Sequence, residues 1–205
     1  MSITKDSSLI ILDWDDTLFP TNWVLQNNIN LQSSSRDQYL VYFHELDKML
    51  YKFLSKVMKL GQVIIVTNAM PDWVELSSIV VPKTYKILKR IEIISARKTY
   101  KHISDSSMEW KMFAFRDIID REFKRPALMN VISIGDAEYE YQALIALNDI
   151  KRNHKKYLKS VKFMRYPSHD ILVDQLGVLH NAIPHIWTKE QHLDLKLDFY
   201  SKVKR

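Results

Sequence analysis

Apolar residues fall along this chain in two rhythms. Short unbroken runs rich in Ile, Leu and Val occur at Leu9–Asp13, Val63–Thr67, Ile91–Ser95 and Val131–Ile134, with a weaker one at Val161–Arg165. Runs of this length without polar alternation mark strands covered on both faces, as in a parallel sheet. Between them the period changes to that of a helix. In Arg36–Lys59 the residues Tyr39, Leu40, Phe43, Leu46, Leu50, Phe53, Leu54 and Val57 line one helical stripe. Further helices are predicted over Pro71–Val80, where the proline suits a first turn, and over Ser107–Phe123 and Ala137–Leu147. A last helix should start at a Ser168 or Asp170 cap and stop at Ile183, ahead of Pro184. Strands alternating with helices predict an α/β domain, doubly wound, with a mainly parallel sheet and helices on both faces. Residues 1–195 are assigned to this single domain, and Lys196–Arg205 is read as a basic C-terminal arm or the start of a linker. The basic stretch Lys151–Lys162 is read as a solvated loop.

Composition sharpens this picture mainly by exclusion. A chain of 205 residues, 46% of them hydrophobic, can bury a full core. It has no cysteine, which removes disulfides, thiolate metal sites and a cysteine nucleophile. Its 3 glycines, Gly61, Gly135 and Gly177, lie too far apart to form a glycine-rich phosphate loop. Thirty basic residues against 24 acidic ones give a net charge of +6, read as a lysine-rich solvated surface that mildly favours anionic partners. The apolar runs are too short to span a bilayer, so no transmembrane segment is expected. Met1–Ser8 is polar and lacks a secretory pattern, which gives a soluble, intracellular protein as the expectation, with secretion into a host cell left open.

Candidate chemistry collects where the predicted strands end, the edge at which open α/β sheets bind ligands. The first strand runs into Asp13-Trp14-Asp15-Asp16-Thr17, the second ends in Thr67-Asn68, and the fourth ends in Gly135-Asp136 with Glu140 close behind. Lys111 lies early in the helix that follows the third strand; Lys98 and Lys101 are its rivals for one cationic role. Carboxylates gathered at one edge repel unless a cation joins them, and hard oxygen donors suit Mg²⁺. With magnesium, a strand-end aspartate can attack phosphorus, a second can exchange the proton, and a hydroxyl with a lysine can hold the phosphoryl oxygens. Asp16 and Glu138 are read as solvated, and His180 and His185 as ordinary residues with no further ligand beside them in sequence.

The run Leu9-Ile-Ile-Leu-Asp13-Trp14-Asp15-Asp16-Thr17-Leu18 resembles the first motif of the haloacid dehalogenase (HAD) superfamily. Val63-Ile-Ile-Val-Thr67-Asn68 is similar to its second motif, Lys111 to its third, and Gly135-Asp136-Ala-Glu-Tyr-Glu140 to its fourth. The resemblance implies a Rossmann-like core and residue roles. Asp13 would be the nucleophile and a metal ligand. Asp15 would be the general acid/base, with its carbonyl on the metal. Asp136, and more weakly Glu140, would complete the magnesium site. Thr67 and Lys111 would bind the phosphoryl group; Asn68 beside Thr67 is a candidate phosphate donor that could equally cap the Pro71 helix. An Asp at position 15 implies phosphate hydrolysis.

In that family, cap domains are inserted after the first motif or before the third. Asp15 to Thr67 spans 52 positions and Thr67 to Lys111 spans 44, which leaves no room for a full cap and implies an open site. The run Asp15-Asp16-Thr17-Leu18-Phe19-Pro20-Thr21-Asn22-Trp23-Val24 further resembles the magnesium-dependent phosphotyrosine phosphatases of the family, with Phe19 in place of a Trp. Trp14, Phe19 and Trp23 are candidates for the substrate mouth, where they would stack on an aryl phosphate; Phe19 and Trp23 could equally pack beneath the loop. The expected partner is a phosphorylated protein carrying phosphotyrosine. Phosphoserine, small metabolites, nucleic-acid ends and a non-catalytic binding module are the alternatives, with nucleic acid permitted by the charge but not favoured. The sequence leaves the oligomeric state open.

Overall fold

A computed structural model describes residues 2–123, 128–150 and 155–197. The strands are β1 (Ser8–Leu12), β2 (Gln62–Thr67), β3 (Glu92–Ser95), β4 (Leu128–Gly135), β5 (Lys155–Lys162) and β6 (Leu193–Lys196). The helices are α1 (Thr21–Gln26), α2 (Leu40–Leu60), α3 (Pro71–Ser78), α4 (Pro82–Leu88), α5 (Ala96–Tyr100), α6 (Ser107–Glu122), α7 (Glu138–Ile145) and α8 (His169–Thr188). All strands are parallel and stand in the order β3-β2-β1-β4-β5-β6. The expected α/β architecture is therefore the observed one.

Alternation along β1 explains why its apolar run is unbroken. Ile10 and Leu12 face a core built with Phe43, Leu50 and Leu54 of α2 and Leu172, Leu176 and Ile183 of α8. Leu9 and Ile11 face the opposite core, with Phe115, Ile118 and Ile119 of α6 and Ala143 and Leu144 of α7. With helices on both sides, neither parity of the strand meets water. The order of strands reverses between β1 and β4, and their register pairs Leu12 with Ile134. The Asp13 N–H donates to the Ile134 carbonyl at 2.9 Å, so the chain leaves both strands at one level. Such a reversal opens a crevice at the carboxyl ends of the strands.

Three expectations need correction. The basic stretch is not a solvated loop over its described part. Lys155–Lys162 is β5, paired along its length with β4, and the weak run at Val161–Arg165 catches only its end. Lys156 and Lys159 are accommodated because their ammonium groups reach helix ends, while Lys155 is exposed and Lys162 pairs with Glu138. Lys156 Nζ donates to the Leu147 carbonyl at 3.1 Å, and the buried Lys159 donates to the Trp187 carbonyl at 2.8 Å. Cations there meet the partial negative charge of unpaired helical carbonyls. Burial pulls the Lys159 ammonium down to about 8, with Glu190 opposing the shift. Residues 151–154 lie outside the described part.

The domain boundary also moves. Lys196 belongs to β6, and the Leu197 N–H donates to the Lys162 carbonyl at 2.9 Å, so the sheet extends past 195. The rest of the proposed arm, 198–205, lies outside the described residues. Finally, α8 does not stop before Pro184 but runs through it to Thr188. Proline lacks the N–H that would bond the carbonyl four residues earlier. That carbonyl, on His180, instead accepts from Lys56 Nζ of α2 at 2.8 Å.

This substitute donor predicts a coupling between two helices. Lys56→Met should cost roughly 1 kcal/mol in urea unfolding, because it orphans the His180 carbonyl. With Pro184→Ala in place, a backbone N–H is restored and the same Lys56 change should cost much less. Equal costs in both backgrounds would refute the coupling.

Candidate active site

Four elements deliver carboxylates and one ammonium to the crevice. Asp13 follows β1, Asp136 follows β4, Glu140 lies in the first turn of α7, and Lys111 comes from the first turns of α6. All four are buried. Lys111 Nζ meets Asp13 Oδ1 at 2.8 Å and also pairs with Glu140 Oε1. Of the three candidate lysines, this is the one inside the crevice; Lys98 and Lys101 are exposed. Burial works against the Lys111 charge, but Asp13 and Glu140 outweigh it and hold the ammonium above the usual lysine range.

Asp13, Asp136 and Glu140 each offer a carboxylate oxygen within 4.8 Å of the others, enough for one shared ion. The electrostatics fit a cation. Burial raises Asp13 well above the carboxylate range; Lys111 opposes the shift, and Glu140, Asp136 and Asp15 add to it. Burial, then Glu140 and Asp16, push Asp136 up to about 7, with Lys111 and Arg165 opposing. One ammonium therefore does not neutralise the cluster, and a hard divalent ion would. The structure shows a buried set of donors suited to one cation.

Gly135 makes room for this arrangement. A Cβ at that position would stand 2.3 Å from Glu140 Cγ and 2.6 Å from Glu140 Oε2. The Glu140 carboxylate is fixed there by the Ala137 N–H at 3.1 Å and by Lys111. The Gly-Asp-x-x-x-Glu spacing thus has a steric reason.

Asp15 is not one of the three carboxylates that share the cation position and is held as an acceptor by three side chains. Its Oδ1 receives Thr21 Oγ1 at 2.5 Å and Trp73 Nε1 at 2.8 Å, and its Oδ2 receives Thr67 Oγ1 at 3.1 Å. Thr67, fully buried, also accepts from the Ala69 N–H at 2.9 Å. Asn68 donates through Nδ2 to the Ser107 carbonyl at 3.0 Å, tying the end of β2 to the start of α6, while its Oδ1 is buried without a partner among the described residues. Sequence reasoning missed Thr21 and Trp73, because neither has a local signature linking it to the motif.

The loop carrying Asp15 is closed on itself. The Asp16 N–H donates to the Phe19 carbonyl at 2.7 Å, and the Leu18 and Phe19 N–H groups both reach the Trp14 carbonyl at 2.9 Å. Asp16 sits at the turn with φ of 53°, a conformation that Asp tolerates better than most residues. It is buried and not solvated, accepting from the Asn22 N–H at 3.0 Å and from Asn22 Nδ2. Burial raises its carboxyl, with the Asn22 bonds opposing.

The aromatic mouth needs correction. Trp14 and Phe19 are completely buried and stack with ring centroids 6.0 Å apart. Trp14 Nε1 is spent on Ser77 Oγ at 2.9 Å, and Phe19 packs against Phe43 and Trp73. They hold the motif loop onto the α2 and α3 layer and present no ring to a ligand. Trp23 is half-buried among Tyr39, Tyr42, Phe43 and His169, and with Tyr39, Tyr42 and His169 it lines a hollow of about 200 Å³. Glu138 is exposed, as expected, and pairs with Lys162 at 2.6 Å.

Compared with protein-family models, curated proteins and solved structures, the chain matches none. Among the described residues no helix is long and apolar enough to cross a membrane.

Two measurements test the cation site. Gly135→Ala should displace Glu140 and weaken magnesium binding by roughly tenfold or more, read by calorimetry. In chelator, a carboxyl raised from about 4 to about 7 favours the folded state at low pH, so melting temperature should fall between pH 5 and 7.5. Magnesium should restore stability, and more so at pH 7.5 than at pH 5, where protons compete for the same oxygens. Cation-independent stability across that range would argue against the site.

Proposed function

We propose that this protein is a magnesium-dependent phosphomonoester hydrolase of the HAD type, acting through an aspartyl-phosphate. The observation that carries the reading is the convergence of Asp13, Asp136, Glu140 and Lys111 at the reversal between β1 and β4. That is the set the motif resemblance requires, brought together from positions spread over the chain. Asp15 stands beside it with its own donors.

Asp13, Asp136 and Glu140 would hold the magnesium ion. When bound, the ion would offset carboxylate charge and polarise the phosphoryl oxygens. Asp13 then attacks phosphorus, and the bond to the leaving oxygen breaks. Asp15 gives its proton to that oxygen and later takes one from the water that hydrolyses the aspartyl-phosphate. Thr21, Trp73 and Thr67 orient Asp15 for this exchange. Lys111 steadies Asp13 and offsets charge on the phosphoryl group.

Between β1 and β2 lie α1, a short turn and α2, and α2 is packed into the sheet core. Between β2 and α6 lie α3, α4, β3 and α5. These segments belong to the core layers, which supports an open site and a macromolecular substrate. Phosphotyrosine in a protein is the substrate class proposed, on the resemblance of the segment after Asp15. The burial of Trp14 and Phe19 removes aryl stacking by those two rings from the argument.

Phosphotyrosine peptide should be hydrolysed with magnesium and remain intact in excess chelator. Asp13→Asn and Asp15→Asn should each lower kcat by roughly a thousandfold or more while retaining the fold, and thiol alkylation should have no effect. Equal turnover in chelator, or an Asp13→Asn protein of normal activity, would rule the reading out. Faster turnover of phosphoserine peptide would keep the chemistry and change the substrate.

A further inference from the structure

Charge at the crevice leaves a question that the motif residues do not answer. Five carboxylates, Asp13, Asp15, Asp16, Asp136 and Glu140, surround or adjoin the site, against the single ammonium of Lys111. That ammonium is already engaged by Asp13 and Glu140. Even with a divalent ion present, a phosphate dianion would approach a surface of its own sign. A further cation at the mouth would favour its approach.

Arg165 offers such a cation. β5 pairs with β4 up to Lys162 opposite Gly135, and the Phe163 N–H donates to the Gly135 carbonyl at 2.8 Å. The next residues therefore leave the sheet beside Asp136. Met164 N–H is fixed at 2.6 Å by Oε1 of the buried Gln175 in α8, and Ser168 caps that helix. Between these anchors Arg165 and Tyr166 project outward, with Tyr166 58% exposed. The Arg165 guanidinium lies 5.2 Å from the centre of the Tyr166 ring and makes no ion pair with a described carboxylate. Tyr166 has φ of 53°, which is costly for a bulky side chain and is sustained by the anchored loop.

We infer that Arg165 receives the substrate phosphate dianion at the mouth of the crevice, and that Tyr166 is its positioning residue. The inference rests on the proposed phosphatase reading for its biological meaning, but its test does not require turnover. A guanidinium offers several donors in one plane, suited to phosphate oxygens, and stacking on the ring limits where that plane can lie.

Inorganic phosphate binding, measured by calorimetry on the full chain at saturating magnesium, is the test. Arg165→Ala should weaken phosphate roughly tenfold, and Arg165→Lys should recover only part of the loss. Tyr166→Phe should bind as the parent does, whereas Tyr166→Gly, which tolerates the backbone angle, should weaken binding several-fold. Magnesium affinity of Arg165→Ala should be equal or tighter, since a nearby positive charge is gone. On phosphotyrosine peptide the Arg165→Ala loss should fall on KM more than on kcat. Phosphate binding unchanged in Arg165→Ala overturns the inference. So does a parallel loss of magnesium, which would mark a structural residue, and so does a parent protein that binds no phosphate. Unchanged phosphate binding beside normal peptide turnover would sink this inference and leave the phosphatase reading standing. The expected binding losses in a protein without turnover would do the reverse.

Discussion

The buried contact of Lys111 with Asp13 and Glu140 is the interaction on which the crevice depends. It joins α6, the end of β1 and the first turn of α7 through one ammonium group. Without it, three buried carboxylates would face one another at the reversal of strand order with nothing to offset their repulsion. With it, the arrangement is held but remains short of positive charge, as the raised Asp13 and Asp136 carboxyls record. A site in this condition is poised to take a cation. The fold contributes by setting β1 and β4 side by side in a register that brings their carboxyl ends level.

Around this centre the molecule uses its aromatic residues as scaffold. Trp14 lies between two acidic motif residues, yet its ring points into the core and its N–H reaches Ser77. Trp73, far away in sequence, turns its N–H to Asp15. α3 thus grips the motif loop twice, once through the ring at 14 and once through the carboxylate at 15. The orientation of Asp15 is consequently linked to the packing of α3 against Phe19.

Most of the fold was legible because its signals are local. The apolar runs give the first four strands, and the strand-end aspartates fall where an α/β sheet collects ligands. Glu140 was legible through its spacing from Gly135, whose missing side chain is what admits it. Several failures trace to partners that lie on other elements. Lysines in β5 were read as solvated because their acceptors, the carbonyls of Leu147 and Trp187, lie on other elements. Pro184 was read as a helix stop because Lys56, which takes over the missing donor's role, is 124 residues from the His180 carbonyl it serves. β6, four residues with two leucines, carries too little periodicity to register. Thr21, Trp73 and Arg165 serve the site through contacts that no motif encodes, and Trp14 and Phe19 were placed at the mouth because adjacency to a motif says nothing about which way a ring turns.

The central claim is that Asp13 carries the phosphoryl group, and it is most directly tested by trapping that intermediate. Protein quenched during turnover of an aryl phosphate with magnesium would be reduced with borohydride and mapped by peptide mass spectrometry. An acyl-phosphate at Asp13 is reduced to homoserine, so the account predicts that modification in the peptide containing residue 13 and its loss when magnesium is withheld. Turnover with the trapped group on another residue, or with no covalent intermediate while residue 13 stays intact, would contradict it.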